Sequence, residues 1–249
     1  SSPTGDGGSV KDRAARHVTQ GSIMYQVGAK VWNAIEYITP TPFEPSFRPA
    51  SKVINDFNHI QQEHDDWFVW LHFMEPHHPY EPPTATDRLQ ARQLSRSVIA
   101  GMETSNKKQE QVRSYYQQEV KALDEELQQL WRTVSGDTQV VFCADHGELM
   151  GEDGEWGHIG TFKSEVLHVP LGGTNVQQPR GLASLIDVPT LLLGEEHNEG
   201  SFSRDTAYAT NGREWAAIDG EDIAMPDGVF KLADGSETEN RRLERAQSS

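Results

Sequence analysis

Apolar residues recur along the middle of the chain in two alternating patterns. From Lys52 to Glu63 they fall at Val53, Ile54, Phe57 and Ile60, the spacing of one helix face. Trp67-Phe68-Val69-Trp70-Leu71-His72-Phe73-Met74 is a continuous apolar run of strand length, which predicts a buried strand. Pro82 to Glu103 carries no clear period and reads as irregular or weakly helical. Val112, Tyr116, Leu123, Leu127, Leu130, Trp131 and Val134 then keep helical spacing from Asn106 to Val134. Ser135-Gly136-Asp137 stops that helix, and Thr138 to Phe142 reads as a second buried strand. Helix followed by strand, twice over, predicts parallel strands joined by crossover helices. Leu167 to Leu171 suggests a short edge strand. Beyond Gly194 the pattern breaks into Thr206–Thr210, Trp215–Ile218 and Val229–Leu232, separated by Gly, Asn and Asp, as in antiparallel hairpins.

The expected fold is therefore α/β. A mostly parallel sheet is flanked by helices, and a small antiparallel sheet follows toward the carboxyl end. The expected organisation is an irregular or helical lead-in over 1–50, an α/β portion over 51–195, an antiparallel subdomain over 196–235 and a polar tail over 236–249.

Chemistry concentrates where the second strand ends. Cys143-Ala144-Asp145-His146-Gly147-Glu148 lies at the carboxyl end of that strand, where open α/β sheets place their functional groups. Asp145 offers a hard carboxylate and His146 an imidazole, together two ligands for a divalent cation. The first strand runs into Glu75-Pro76-His77-His78-Pro79-Tyr80. Lys163 and His158 follow within twenty residues of Asp145. The plain structural alternatives are a turn-capping Asp145, a packed His146 and a His77 held in a Pro-rich turn. His72, inside the first strand, reads as a core histidine, His168 as structural, and Glu148 and Glu152 as residues that cap and turn their loop.

These blocks resemble the sulfatase family, within the alkaline phosphatase superfamily. The Asp145-His146-Gly147 segment is similar to the family's metal motif. Pro76-His77-His78-Pro79 resembles its Pro-His-x-Pro motif. Tyr115 to Leu127 looks like the helix before the metal strand, and Leu185 to Leu192 resembles the family's Asp-x-x-Pro-Thr-Leu helix after it, with one residue fewer between Asp187 and Pro189. The four occur in family order over roughly residues 65 to 195. The resemblance implies a divalent metal (Ca²⁺, Mg²⁺, Mn²⁺ or Zn²⁺) with Asp145 and His146 among its ligands. It implies His77 as the group facing the ester, and His158, with Lys163 as the second candidate, as the group holding the sulfate oxygens. The activity implied is hydrolysis of sulfate esters on a small molecule or glycan. Phosphodiester hydrolysis or phosphoryl transfer by the same superfamily, and a non-catalytic metal- or sugar-binding remnant, are the alternatives.

Two family elements have no counterpart. No apolar strand leads into an Asp-Asp pair near the start, because Asp65-Asp66 precedes its strand. No Cys-x-Pro-x-Arg or Ser-x-Pro-x-Arg nucleophile motif occurs either. The sole cysteine, Cys143, lies within a strand. The sequence thus reads as the carboxyl-terminal part of a sulfatase, inactive by itself.

Composition bounds this picture. The net charge of −16 argues against non-specific nucleic-acid binding, which needs Lys and Arg to displace counterions. It also means that an anionic substrate requires a local cationic patch. High acid with little Lys suits a salt-adapted cytoplasm, and equally an ordinary acidic protein. A single cysteine excludes an intrachain disulfide framework, and no apolar run reaches the length of a membrane helix. The expected location is cytoplasmic.

Overall fold

The structure is a computed structural model, which describes residues 47–247 apart from 135, 159, 178, 180, 194–203, 212 and 234. The lead-in expected over 1–50 lies outside the described residues except for its last four.

Helix α1 (Ala50–Glu63) buries Ala50, Ile54 and Phe57 along one face. Its amino end is held by Glu75, whose Oε1 accepts the Ala50 N–H at 2.9 Å and so satisfies one donor that a helix start leaves free. Helix α2 (Arg88–Ile99) occupies the stretch expected to be irregular. Asp87 starts it by accepting the Gln90 N–H at 3.0 Å, a local signal that outweighs the weak apolar period. Helix α3 (Asn106–Thr133) runs 28 residues, about 42 Å at the usual rise per residue. It stops where Val134 turns extended.

Two apolar clusters use these helices. In the first, Ile54, Phe57 and Leu130 pack with Trp67, Val69, Leu71, Phe73, Leu127 and Val134. In the second, Tyr80, Val98 and Val112 pack with Ile99, Tyr116, Met150 and Trp156 among others. The α2–α3 junction also buries charge. Glu81 pairs with Arg92, both side chains under one-tenth exposed. Glu119 accepts the Glu81 N–H at 2.5 Å.

Trp67–Met74 departs from the expected buried strand. The segment is extended but makes no strand ladder. Trp67, Val69, Leu71 and Phe73 pack on the α1–α3 cluster, whereas Phe68 and Trp70 are 77% and 70% exposed. Side chains alternate across an extended backbone, so one face finds the helices and the other remains open. His72 lies on the open face, not in a core.

Strand β1 (Val140–Cys143) pairs antiparallel with β4 (Leu171–Thr174), Val140 opposite Thr174 and Cys143 opposite Leu171. Between them lie β2 (Leu149–Met150), a 3-10 turn (Glu152–Gly154), β3 (Trp156–Gly157) and the short helix α4 (Ser164–Leu167). Every strand pair among the described residues is antiparallel. The expected parallel sheet is therefore not shown by them. Helix-then-strand order was the ground for expecting it, but β1 finds its partner in the later β4, which returns in the opposite direction. A 3-10 turn (Leu185–Asp187) and α5 (Val188–Leu193) follow, close to the expected helix.

The carboxyl-terminal antiparallel sheet is present. It has five strands in sequential order: β5 (Ala207–Thr210), β6 (Trp215–Ile218), β7 (Asp222–Met225), β8 (Gly228–Lys231) and β9 (Glu237–Thr238). Residues 237–247, expected within a polar tail, hold β9 and helix α6 (Arg241–Gln247). Leu243 of α6 is buried against Ala217, Ala224 and Val229. Ala246 packs on the same cluster, so Leu243 and Ala246 together dock a largely charged helix. No helix among the described residues is long and apolar enough to cross a membrane.

Candidate functional site

Three imidazoles from three separate segments meet at the carboxyl end of β1. His77 comes from the turn after the extended segment, its N–H donating to Met74 O at 2.7 Å. His146 follows β1 directly. His158 follows β3. One ring nitrogen of each lies within 4.8 Å of the other two. The His146 and His158 rings stack at 3.9 Å between centroids, and His77 stands edge-on to His158 at 5.4 Å.

Local sequence explains each placement. Gly147 donates to Val166 O at 2.8 Å, and a Cβ there would lie 1.9 Å from the Glu165 carbonyl oxygen. Only glycine allows the loop after β1 to approach α4 this closely. The β2–β3 hairpin pairs Leu149 with Gly157, a register that carries Glu148 opposite His158. Gly151 closes that hairpin with φ +104°, a conformation glycine adopts without strain. Its Cβ would also collide with Arg113, which stacks over Trp156 at 5.1 Å.

The hydrogen bonds fix which nitrogen of each ring is available. His77 Nδ1 lies 2.6 Å from His78 O, and His146 Nδ1 lies 2.9 Å from Gly147 O. A carbonyl only accepts, so both Nδ1 atoms carry a proton, and in the neutral ring the lone pair sits on Nε2. His158 Nδ1 faces Glu148 Oε1 at 2.9 Å, which imposes the same tautomer. The Glu148 side chain is 7% exposed, so this orientation is held within the protein. Glu148 thus does more than cap its loop; it aims His158. The signal was its place in the hairpin, ten residues before His158, which is visible only once the strand register is known.

Asp145 sits at the mouth. Its side chain is 72% exposed, and Oδ2 lies 3.9 Å from His146 Nε2. An open carboxylate beside a lone-pair nitrogen is a donor pair that fits a divalent ion. Cys143, at the end of β1, has its thiol pushed above the ordinary range by burial and by the Asp145 charge. It stays protonated near neutral pH and is a poor nucleophile. Burial, reinforced by the neighbouring His77, lowers the pKa of His78, which stacks on His77 at 4.6 Å. Tyr80 beneath them is fully buried, and burial with the Glu148 charge raises its hydroxyl pKa well above the usual range.

Lys163 stands apart from the imidazoles in its bonding. Its ammonium pairs with Asp153 at 2.8 Å and Glu155 at 3.2 Å, bonds that raise its pKa. Glu152 turns the hairpin as expected, accepting the Met150 N–H. His168 is exposed.

Residues 31–171 match the family model described as Sulfatase. That stretch is more than half of the chain and contains all three histidines, so the chain belongs to the sulfatase family. The family acts on sulfate esters and depends on a divalent metal. No curated protein matches the chain.

Proposed function

We propose that this chain forms part of a metal-dependent hydrolase of sulfate esters, carried on a small molecule or a glycan. The observation that supports it most is the meeting of His77, His146 and His158, from three family-matched segments, beside the open carboxylate of Asp145. Asp145 Oδ2 and His146 Nε2 would hold the divalent ion, which supplies positive charge to the ester oxygens. Its identity among Ca²⁺, Mg²⁺, Mn²⁺ and Zn²⁺ is set by ligands beyond these two. His77, when protonated at Nε2, donates to the leaving oxygen. Its Nδ1 proton is retained by His78 O, which keeps the ring aimed. His158, oriented by Glu148, binds a sulfate oxygen; Lys163 reaches the substrate only by releasing Asp153 and Glu155.

The 249 residues contain no nucleophile motif, and Cys143 is held as a thiol. The purified chain alone should give no turnover of an aryl sulfate, and turnover would overturn that part of the reading. Sequencing the coding DNA upstream of Ser1 tests the rest. The expected finding is an in-frame Asp-Asp strand followed by Cys-x-Pro-x-Arg or its Ser form. A stop codon with neither motif would favour a metal- or sugar-binding remnant. Comparison of aryl sulfate with aryl phosphate hydrolysis separates sulfatase from phosphodiesterase, because the motifs present are shared by both.

A further inference from the structure

We propose that His77, His146 and His158 form a three-imidazole site for a borderline transition-metal ion, Zn²⁺ being the natural occupant, that does not require Asp145. It draws on all three histidines of the proposed hydrolytic site, so it rests on the same cluster, but it does not depend on hydrolysis. The outer partners of the rings support such a site. A metal-binding imidazole generally donates its second ring N–H to a carbonyl or carboxylate, which fixes the tautomer and the aim of the ligating nitrogen. All three rings have that partner at Nδ1: His78 O for His77, Gly147 O for His146 and Glu148 Oε1 for His158. Each is left with Nε2 and its lone pair. One ring nitrogen of each histidine lies within 4.8 Å of one on each of the other two. Zn–N bonds of about 2.0–2.1 Å place tetrahedral ligands about 3.4 Å apart, so small side-chain rotations close the set.

The donor chemistry selects the ion. Three neutral nitrogens suit Zn²⁺, Co²⁺ or Ni²⁺, whereas Ca²⁺ and Mg²⁺ need oxygen. Three protein ligands leave a fourth position open, the arrangement in which zinc accepts a small anion or water. Glu148 carries a negative charge into the partner shell while remaining outside the ligand set. A second grouping, His78, Glu148 and His158, shares His158 and Glu148 with the first. It would take Glu148 away from His158 Nδ1, so the three-imidazole set is the better supported of the two. Occupation by zinc ties up His77, and Zn²⁺ would therefore oppose proton donation by that residue.

The test is calorimetric titration of the purified 249-residue chain with Zn²⁺ and, separately, Ca²⁺, paired with the visible spectrum of the Co²⁺ form. The expected result is one Zn²⁺ bound per chain and the intense d–d bands of four-coordinate Co²⁺. His77→Ala and His158→Ala should each weaken Zn²⁺ by roughly tenfold or more, and Glu148→Gln by about tenfold, the usual effect of losing an outer partner. The exposed His72→Ala should leave Zn²⁺ affinity unchanged, and Asp145→Ala should still bind one Zn²⁺ per chain. Weak six-coordinate Co²⁺ bands, Zn²⁺ binding indifferent to His77 and His158, or loss of Zn²⁺ binding on Asp145→Ala alone would overturn the site. The Co²⁺ spectrum of the parent chain decides the geometry even if a variant fails to fold. Neither readout involves turnover, so failure here leaves the hydrolytic reading standing, and an inactive protein leaves this one standing.

Discussion

Glu119 offers a perturbation whose size follows from its surroundings. The carboxyl is buried on α3 beneath the Glu81–Arg92 pair and receives the Glu81 N–H. Burial raises its pKa from 4.5 to about 8, opposed by that hydrogen bond and reinforced by the Glu81 charge. Between those two values the folded state holds a proton that the unfolded chain has lost. Stability from this residue is therefore complete below about pH 4.5, falls as pH rises toward 8, and is level above it. At 1.36 kcal/mol per pH unit the full span amounts to about 5 kcal/mol, and even half of that is a large share of a domain's stability. Glu119→Gln removes the titration while its side-chain oxygen still accepts from Glu81. The variant should match the parent near pH 4.5 and exceed it by about 2–5 kcal/mol at pH 8 to 9. Urea unfolding followed by tryptophan fluorescence at pH 5, 7 and 8.5 measures the difference, and all other titrating groups cancel in it. A difference that does not change with pH, or a parent that gains on the variant as pH rises, would refute the reasoning.

Three further substitutions test separate parts of the structure. Gly147→Ala drives a Cβ into the Glu165 carbonyl and should lower stability by about 1–3 kcal/mol, with the Asp145–His146 loop displaced, read by thermal unfolding and by loss of metal binding. Arg92→Met removes the closer of the two cations on buried Glu81, leaving Arg88 at 3.7 Å, and should cost up to about 3–5 kcal/mol in urea unfolding at neutral pH. Leu243→Ala should cost about 2–5 kcal/mol if α6 truly docks on the sheet, and almost nothing if residues 241–247 are a solvated tail.

Much of the helical frame was readable because long segments repeat their apolar positions many times. The expected Asn106–Val134 helix differs from α3 by one residue at its end. Short elements depended on partners that lie far along the chain. Asp222–Met225 was passed over as a strand, since four residues with an acidic start carry little pattern of their own; β6 and β8 on either side define it. Trp67–Met74 looked like a buried strand because its residues are apolar on both faces, yet only the face toward α1 and α3 is covered among the described residues. Parallel pairing was inferred from element order, and the antiparallel return of β4 could not be read from Leu167–Leu171. The candidate site fared differently. His77, His146 and His158 were picked out by motif, and the structure brings them together. Asp145 lies beside them, while Lys163 is engaged by Asp153 and Glu155. What motif reading missed was the role of Glu148 and the tautomers of the rings. Both depend on hydrogen bonds across a hairpin and around a glycine that no local pattern records.

A sulfate ester held against His77 is the centre of the proposed chemistry. The decisive measurement is hydrolysis of paired aryl sulfate and aryl phosphate substrates by the product of the complete open reading frame, with and without His77→Ala. The expected result is divalent-ion-dependent turnover, faster on sulfate than on phosphate, with kcat falling about 10²–10⁴-fold on loss of the imidazole. Turnover unchanged by His77→Ala, or no sulfate hydrolysis with any divalent ion, would contradict it.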